Sequence, residues 1–167
     1  MPSTSATSKT TSKKPLGTET EAVDAITLLT EDHENVKAMF EQYEGLGDRA
    51  TTSKKKLATQ ICLELTKHAT AEEEIFYPAI RAAQKNNEDM IDEAVVEHAS
   101  AKDLIAQILS MEPTEDLYDA KVKVLGELID HHVEEEEEEM FQKARDADLD
   151  LEELGRQIAE RKAEITL

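Results

Sequence analysis

The sequence KHATAEEEIFYPAI, residues 67–80, and its echo HHVEEEEEEMF farther along decide the fold of this chain. The first places His68 four residues before Glu72, and the second places His132 four residues before Glu136. Side chains four residues apart lie on the same face of an α-helix. Facing helices that each offer imidazole and carboxylate groups can hold transition-metal ions between them. The two stretches therefore predict a helical protein with a metal site.

Apolar residues recur at steps of three and four in four segments, which predicts four amphipathic helices. In every segment a histidine, alone or with a glutamate, occupies a position where the pattern calls for an apolar residue. The four stripes are Ile26, Leu29, His33, Val36, Phe40 and Tyr43; Leu57, Ile61, Leu65, His68, Glu72 and Ile75; Ile91, Ala94, His98, Ala101, Ile105 and Ile108; and Leu125, Leu128 or Ile129, His132, Glu136 and Met140. Six polar side chains are thus predicted to face the inside of a bundle.

The second half of this pattern repeats the first. His98 follows His33 by 65 residues, and His132 follows His68 by 64 residues. Each half is therefore a helical hairpin with one histidine on its first helix and His-x-x-x-Glu on its second. Short loops between helices favour antiparallel neighbours. We predict an all-α fold, an antiparallel up-down-up-down four-helix bundle with a disordered N-terminal tail and a short C-terminal helix.

The two ends of the chain differ from the bundle in composition. Residues 1–17 are rich in Ser, Thr and Lys and contain no acidic residue, which predicts a disordered basic tail. Residues 18–146 form the predicted four-helix bundle. Residues 147–167 form a predicted amphipathic helix that packs on the bundle, with Leu151 and Ile158 on its apolar edge.

Capping residues and a proline set the expected helix ends. Thr18 and Glu21 form a capping box for the first helix. Residues 51–53 (TTS) can cap the second helix, and Thr114 can cap the fourth. Pro78 is expected to kink the second helix or to loosen its last turns.

The composition restricts the classes of partner. The net charge of −19 disfavours nucleic acid and anionic membranes as partners. No run of eighteen apolar residues is present that would span a bilayer. Cys62, the only cysteine, rules out an intramolecular disulfide, suits a reducing compartment, and is expected to be a small core residue. We expect a cytoplasmic protein that binds neither nucleic acid nor membrane, and the sequence indicates no particular protein partner.

The six inward polar side chains are best explained as metal ligands. Burying two carboxylates with four imidazoles in an apolar core is strongly unfavourable unless they share a cation. Six ligands are too many for one tetrahedral zinc ion, and they suit two metal ions with bridging carboxylates. Imidazole and carboxylate without thiolate favour iron or manganese, and iron is our choice. The predicted metal ligands are His33, His68, Glu72, His98, His132 and Glu136.

Residues next to these ligands leave alternatives open. Glu136 lies in a run of six glutamates, so Glu135 or Glu137 could take its place. His131 lies off the stripe and is expected to be exposed or to support the ligands. Tyr77 is expected to be displaced along the bundle, away from the metals.

Four segments together carry the pattern H…HxxxE…H…HxxxE. They are TEDHENV around His33, HATAEEEIFYPAI from His68, VVEHASAKDLI around His98 and HHVEEEEEEMF around His132. By this combination the chain, over about residues 21–145, resembles the hemerythrin-like proteins of the HHE cation-binding family. The resemblance implies a four-helix bundle around two non-haem iron ions, oxo- or hydroxo-bridged when oxidised. It also implies that the four histidines are terminal ligands and that the two glutamates of the HxxxE motifs bridge the irons.

One ligand of the oxygen-carrying members of that family is missing. Their third helix carries two histidines four residues apart, whereas Ala94 and Lys102 flank His98 at that spacing. Water, an exogenous ligand or a nearby carboxylate such as Glu97 could complete that iron. The resemblance therefore implies a more open iron, which favours reaction with peroxide or binding of NO over reversible oxygen carriage.

The resemblance leaves several functions open. The first is a di-iron protein that binds O2, NO or peroxide, for sensing or for handling these molecules. The second is a di-iron redox enzyme with catalase-like or peroxidase-like activity, so whether the protein is an enzyme stays undecided. Iron storage or a role in stress tolerance is a third. The apolar pocket expected for the small molecule is lined by Leu29, Ile75 or Phe76, Ala94 or Val95, and Met140.

Overall fold

The structure, a computed structural model, describes residues 23–167, and within that range it is helical without a strand. Its elements are α1 (Ala25–Glu44), α2 (Thr51–Ala71), a first π-helical turn (Glu72–Phe76), α3 (Tyr77–Ala83), a 3-10 turn (Lys85–Asn87), α4 (Glu88–Leu109), α5 (Tyr118–Glu135), a second π-helical turn (Glu136–Met140), α6 (Phe141–Asp146) and α7 (Leu151–Glu164). The predicted all-α fold is confirmed. No helix in this range is both long and apolar enough to cross a membrane.

Four rods form the bundle. α2, the first π-helical turn and α3 run on as one rod, and α5, the second π-helical turn and α6 run on as another. α1 packs against α2 and α5, and α4 packs against α5 and α2. Each rod is therefore next to the rod that follows it in the chain, and the connections alternate up and down as predicted.

The first helix begins later than the predicted capping box. Thr18 and Glu21, like the predicted disordered tail, lie outside the described residues. α1 begins at Ala25, where the carboxylate of Asp24 accepts a hydrogen bond of 2.8 Å from the amide of Thr27. An aspartate in this position satisfies one of the free amides at the helix start.

The caps predicted for the second and fourth helices are wrong. The carbonyl of Ala50 already accepts the first helical hydrogen bond, so Thr51 lies inside α2 and no side chain caps it. α5 begins at Tyr118 behind Leu117, which has a φ of 72°. Thr114 belongs instead to the turn before Leu117.

The two π-helical turns lie at the same place in both halves of the repeat. The first begins at Glu72 and the second at Glu136, the glutamates of the two HxxxE motifs. Pro78, expected to disturb its helix, lies directly behind the first turn at the start of α3. The second turn forms without a proline, so the proline is not needed for this geometry. Single π turns are common at functional sites.

The apolar core is divided into two clusters. One includes Leu29, Phe76 and Met140, and the other includes Ile61 and Cys62. The helix positions between them belong to the six polar residues of the stripes. Cys62 is 1% exposed, as expected for a core residue, and burial raises the pKa of its thiol to about 12.

The predicted short C-terminal helix is α7, which lies across α1, α2 and the first π-helical turn. Ile158 anchors it in the core with no exposed area. Lys162 forms a salt bridge with Asp32 of α1. Gly155 allows close approach, because a Cβ atom there would lie 2.3 Å from the carbonyl oxygen of Val23. α7 therefore covers the first hairpin, and no helix of the described residues covers the second in the same way.

Candidate metal centre

The six polar side chains predicted from the apolar stripes meet in one buried layer between the two clusters. They are His33, His68, Glu72, His98, His132 and Glu136, each at most 7% exposed. Their ligand-capable atoms form two groups, within each of which all atoms lie within 4.8 Å of one another. The first group is His33, His68, Glu72 and Glu136, and the second is Glu72, His98 and His132. Glu72 belongs to both, so its carboxylate lies between the two groups.

The first group is centred on ring nitrogens that face carboxylate oxygens. His33 Nε2 lies 3.1 Å from His68 Nε2 and 3.3 Å from Glu136 Oε2. His68 Nε2 lies 2.9 Å from Glu72 Oε1. Each atom is a potential ligand aimed at the same small space.

The second group repeats this arrangement with the other pair of histidines. His98 Nε2 lies 3.1 Å from His132 Nε2 and 3.2 Å from Glu72 Oε2. His132 Nε2 lies 3.5 Å from Glu136 Oε2. The two oxygens of Glu72 therefore face different histidine pairs, the arrangement needed for a bridging carboxylate.

Glutamates of the π-helical turns orient the histidines of the first helix of each hairpin. The Nδ1–H of His33 donates to Glu137 Oε1 at 2.8 Å, and that of His98 donates to Glu73 Oε1 at 2.9 Å. Each of these glutamates directly follows a glutamate of the buried layer. A histidine held through Nδ1 presents the lone pair of Nε2 to a metal.

Two further carboxylates orient the histidines of the HxxxE motifs. The Nδ1–H of His68 donates to Asp32 Oδ2 at 3.0 Å, and that of His132 donates to Glu97 Oε2 at 2.6 Å. Glu97, suggested as a possible ligand for the open iron, is thus held on the outer side of His132. All four histidines have an acidic partner at Nδ1, and the ring tautomers follow from these partners.

The electrostatics of the layer fit a cation. Glu72 Oε1 and Glu136 Oε2 are buried and have no hydrogen-bond partner among the described residues. Burial by itself would lower the pKa of His68 and of His132, but the nearby carboxylates outweigh this effect. The charge of Glu72 and the hydrogen bond to Asp32 raise the pKa of His68 to about 10. The nearby carboxylate of Glu136 likewise raises the pKa of His132 to about 9. Metal cations between the two groups would supply the positive charge that these carboxylates attract.

Tyr77 lies in the layer, so the expectation that it is displaced along the bundle is wrong. Its hydroxyl is 3.2 Å from Glu72 Oε2, 3.3 Å from Glu136 Oε1 and 3.3 Å from His98 Nε2. Burial and the two carboxylates raise the pKa of this phenol well above its usual value. The cause of the wrong expectation is the π-helical turn, in which the Tyr77 amide bonds the Glu72 carbonyl. The extra residue in that turn brings position 77 onto the face of Glu72.

Phe141 is the counterpart of Tyr77 in the second half of the repeat. Its ring stacks on His33 with centroids 5.7 Å apart, and the ring of Tyr77 stacks on His98 with centroids 5.5 Å apart. The two histidine pairs therefore have similar aromatic neighbours, but only the pair that contains His98 has a hydroxyl beside it.

The structure decides between the glutamates of the acidic run. Glu136 is in the buried layer, whereas the side chains of Glu137 and Glu135 are 39% and 45% exposed. Glu137 instead accepts the hydrogen bond from His33 Nδ1 that is described above. His131 is 59% exposed, as expected for a residue off the stripe.

The apolar pocket expected for the small molecule forms only in part, because Ala94 and Met140 line a groove beside Glu136. Leu29 and Phe76 have no exposed area and pack in the first cluster. A cavity of about 30 Å³ lies instead against the four histidines. Its apolar lining includes Leu65, Ala101 and Ile105. This volume is about that of one water molecule.

Comparisons with known proteins agree with this geometry. Residues 24–144 match the family model of the hemerythrin HHE cation binding domain. The chain is also similar to the crystal structure of a hemerythrin HHE cation binding domain-containing protein from Mycobacterium kansasii. The TM-score is 0.71 and the sequence identity 26%, over 85% of this chain and 86% of the other.

A curated relative has a different description. The chain is 29% identical over 112 residues to a DNA nickase from Nostoc sp. (strain PCC 7120). The match covers 66% of this chain and 30% of that protein. The chain thus spans less than a third of the length of this relative.

Proposed function

The chain belongs to the hemerythrin HHE cation binding family, and from that membership we propose that it is a non-haem di-iron protein that binds O2, NO or peroxide. One observation carries the proposal: Glu72 Oε1 and Glu136 Oε2 are buried without a hydrogen-bond partner among the described residues. An unpaired buried carboxylate is costly. Two cations between the histidine pairs would satisfy both oxygens at once.

The ligand sets follow from the two groups of converging atoms. His33 and His68 would hold one iron, and His98 and His132 would hold the other. Glu72 and Glu136 would lie between the irons, since each approaches both histidine pairs. When bound, the irons would supply a redox-active site with room for a small exogenous ligand.

Tyr77 would make the two iron sites unequal. Its hydroxyl lies within 3.3 Å of His98 Nε2 and of both bridging carboxylates. It stands on the side of the His98 pair, where the fifth histidine of the oxygen carriers is missing. We propose that the Tyr77 oxygen either completes this iron or holds a proton for the carboxylates. Phe141 can do neither for the other iron.

The cavity on the histidine side sets the size of the ligand. At about 30 Å³ it admits a molecule of two or three atoms, and it borders all four histidines. Its lining is otherwise mostly apolar, which favours O2 or NO over larger polar molecules. Ala101 and Leu65 keep bulk water away from this side.

Metal content is the decisive measurement. The purified full chain should hold about two irons and show ligand-to-metal charge-transfer absorption. The Glu72→Ala variant should lose most of this iron, because it removes the carboxylate shared by both groups. The Glu138→Ala variant is the matched control, since Glu138 is an exposed neighbour in the same acidic run. Zinc alone, no metal, or equal iron in the two variants would refute the proposal.

Peroxide turnover is a second candidate. The observation in its favour is the Tyr77 hydroxyl, a proton donor within 3.3 Å of both carboxylates. Steady oxygen evolution from added peroxide, reduced in Tyr77→Phe at unchanged iron content, would support an enzyme. Iron-loaded protein without turnover would leave the binding function alone.

DNA nicking is not carried over from the Nostoc relative. The matched region is 30% of that protein, so its activity belongs to a much longer chain. The net charge of −19 also disfavours contact with the phosphate backbone of DNA.

A further inference from the structure

An acidic groove on the second hairpin leads to the candidate metal centre. It has a volume of about 210 Å³ and lies between α4 and the rod of α5 and α6. Six carboxylate side chains line it: Asp89, Glu93, Glu97, Glu135, Glu136 and Glu139. Lys143, whose ammonium lies 4.0 Å from Met90 Sδ at this edge, offsets one of these charges. The groove remains strongly negative.

The groove runs from exposed acids at its rim to ligands of the buried layer. Asp89, Glu93 and Glu139 are exposed. His132 and Glu136, at the other end, are 4% and 2% exposed. The groove thus connects the solvent with two of the residues that would hold iron.

A residue at the inner end of the groove offers an unsatisfied acceptor to the buried layer, because Glu136 Oε2 faces His33 Nε2 at 3.3 Å. Glu136 lines the groove, and Glu136 Oε2 has no hydrogen-bond partner among the described residues. A cation that moves inward would therefore exchange exposed carboxylates for a buried one that lacks a partner. This is a second observation beside the acidic lining, and it indicates a cation.

Two residues of the groove wall, Glu97 and Glu135, form with the neighbouring His131 a cluster that can hold a cation on the way. Ligand-capable atoms of Glu97, His131 and Glu135 lie within 4.8 Å of one another. His131 Nε2 is 3.4 Å from Glu135 Oε1 and 3.7 Å from Glu97 Oε1. Glu97 also accepts a hydrogen bond from His132 Nδ1, so it links this cluster to the buried layer.

The other approaches to the layer suit a cation poorly. On the first hairpin the equivalent acid, Asp32, is bonded to Lys162 of the covering helix. The cavity on the histidine side holds about one water molecule, and Lys102 lines it. This cavity is too small for a hydrated divalent cation, and its lining beyond the histidines is mostly apolar.

We propose that the acidic groove is the route by which hydrated divalent cations enter the centre, with Glu97, His131 and Glu135 as a stopping point. The inference rests on the proposed metal-binding function. It gives the run of six glutamates a second role, because Glu135 and Glu139 line the route while Glu136 binds at its end. Clefts lined by one sign of charge raise the arrival rate of the opposite charge by about 10-fold to 1000-fold.

Neutralising the rim tests this route. The variant Asp89→Asn/Glu93→Gln/Glu139→Gln removes three rim charges and no predicted ligand. The matched control Glu31→Gln/Glu34→Gln/Glu41→Gln removes three exposed charges from α1. Co²⁺ uptake by the metal-free full chain, followed by visible absorption, should slow about tenfold in the rim variant and less than about twofold in the control. Final Co²⁺ content should be the same in all three proteins.

Two further measurements distinguish the entry route from the metal centre itself. Uptake by the rim variant should depend less on ionic strength than uptake by the unaltered chain. His131→Gln should slow uptake without changing the final content. Equal uptake rates in the rim and control variants would overturn the route while leaving the metal centre intact. Failure of the unaltered chain to take up any metal would instead refute the proposed function.

Discussion

The two hairpins carry the same candidate ligands, with the same four-residue spacing of histidine and glutamate on the second helix, but they are covered differently. α7 lies on the first hairpin, where Lys162 bonds Asp32, the acid that orients His68. The second hairpin has no such cover among the described residues, and its equivalent acid, Glu97, borders an open groove. Ligand spacing therefore sets the buried layer, and the surrounding elements set which side of it is accessible.

The aromatic neighbours of the two histidine pairs differ by one hydroxyl group. Tyr77 and Phe141 lie behind equivalent π-helical turns and stack on equivalent histidines. Only Tyr77 has a hydroxyl to reach the carboxylates. The two histidine pairs thus have chemically different surroundings, although the six histidines and glutamates of the buried layer are arranged almost symmetrically.

A substitution at Gly155 tests the packing of α7 on the first hairpin. Glycine to alanine in a helix usually stabilises by about 1 kcal/mol. A Cβ at Gly155 would, however, lie 2.3 Å from the carbonyl oxygen of Val23 and 2.9 Å from the amide of Ala25. We expect Gly155→Ala to lower the free energy of unfolding by about 3 kcal/mol, or the melting temperature by about 6–12 °C.

Gly47→Ala is the control for that change, because a Cβ at Gly47 meets nothing within 4 Å. Thermal unfolding of the three metal-free proteins measures the difference. Stabilisation by Gly155→Ala would mean that α7 does not pack closely against the start of α1.

The two orienting acids can be compared directly. Asp32→Asn and Glu97→Gln each weaken the hold on a ligand histidine, so each should lower metal affinity by about 10-fold to 100-fold. Asp32→Asn also deprives Lys162 of its partner and should lower the stability of the metal-free protein as well. Competition with a chelator and thermal unfolding separate the two effects. Equal stability losses in both variants would contradict the difference in cover.

The smallest expected effect concerns the single hydroxyl. Tyr77→Phe makes the aromatic neighbours of the two histidine pairs alike and should lower the affinity of the His98 pair for its proposed metal by about tenfold. The visible spectrum of the iron-loaded protein should change at the same time. Phe141→Tyr is the reciprocal variant, which should place a hydroxyl beside His33. An unchanged spectrum in Tyr77→Phe would show that this hydroxyl does not act on the metals.

Periodicity predicted the bundle and the residues of its polar layer. Every histidine and glutamate on an apolar stripe lies in the layer, because burial follows the helical repeat. Tyr77 was missed for the same reason, since the π-helical turn adds a residue that a regular helix pattern does not contain. The offset of 64 between Glu73 and Glu137 was a signal for the outer acids that went unused. The cover of α7 over Asp32 depends on tertiary packing, which no local pattern contains.

The orienting glutamates of the π-helical turns cross between the hairpins. Glu73 of the first hairpin bonds His98 of the second, and Glu137 of the second bonds His33 of the first. A single hairpin would therefore have a histidine without its acid and an acid without its histidine. Two copies of one hairpin, however, would satisfy each other. The hydrogen bonds between the two hairpins thus have the pattern expected between the subunits of a symmetrical homodimer. A half-length ancestor could have assembled the same centre by self-association.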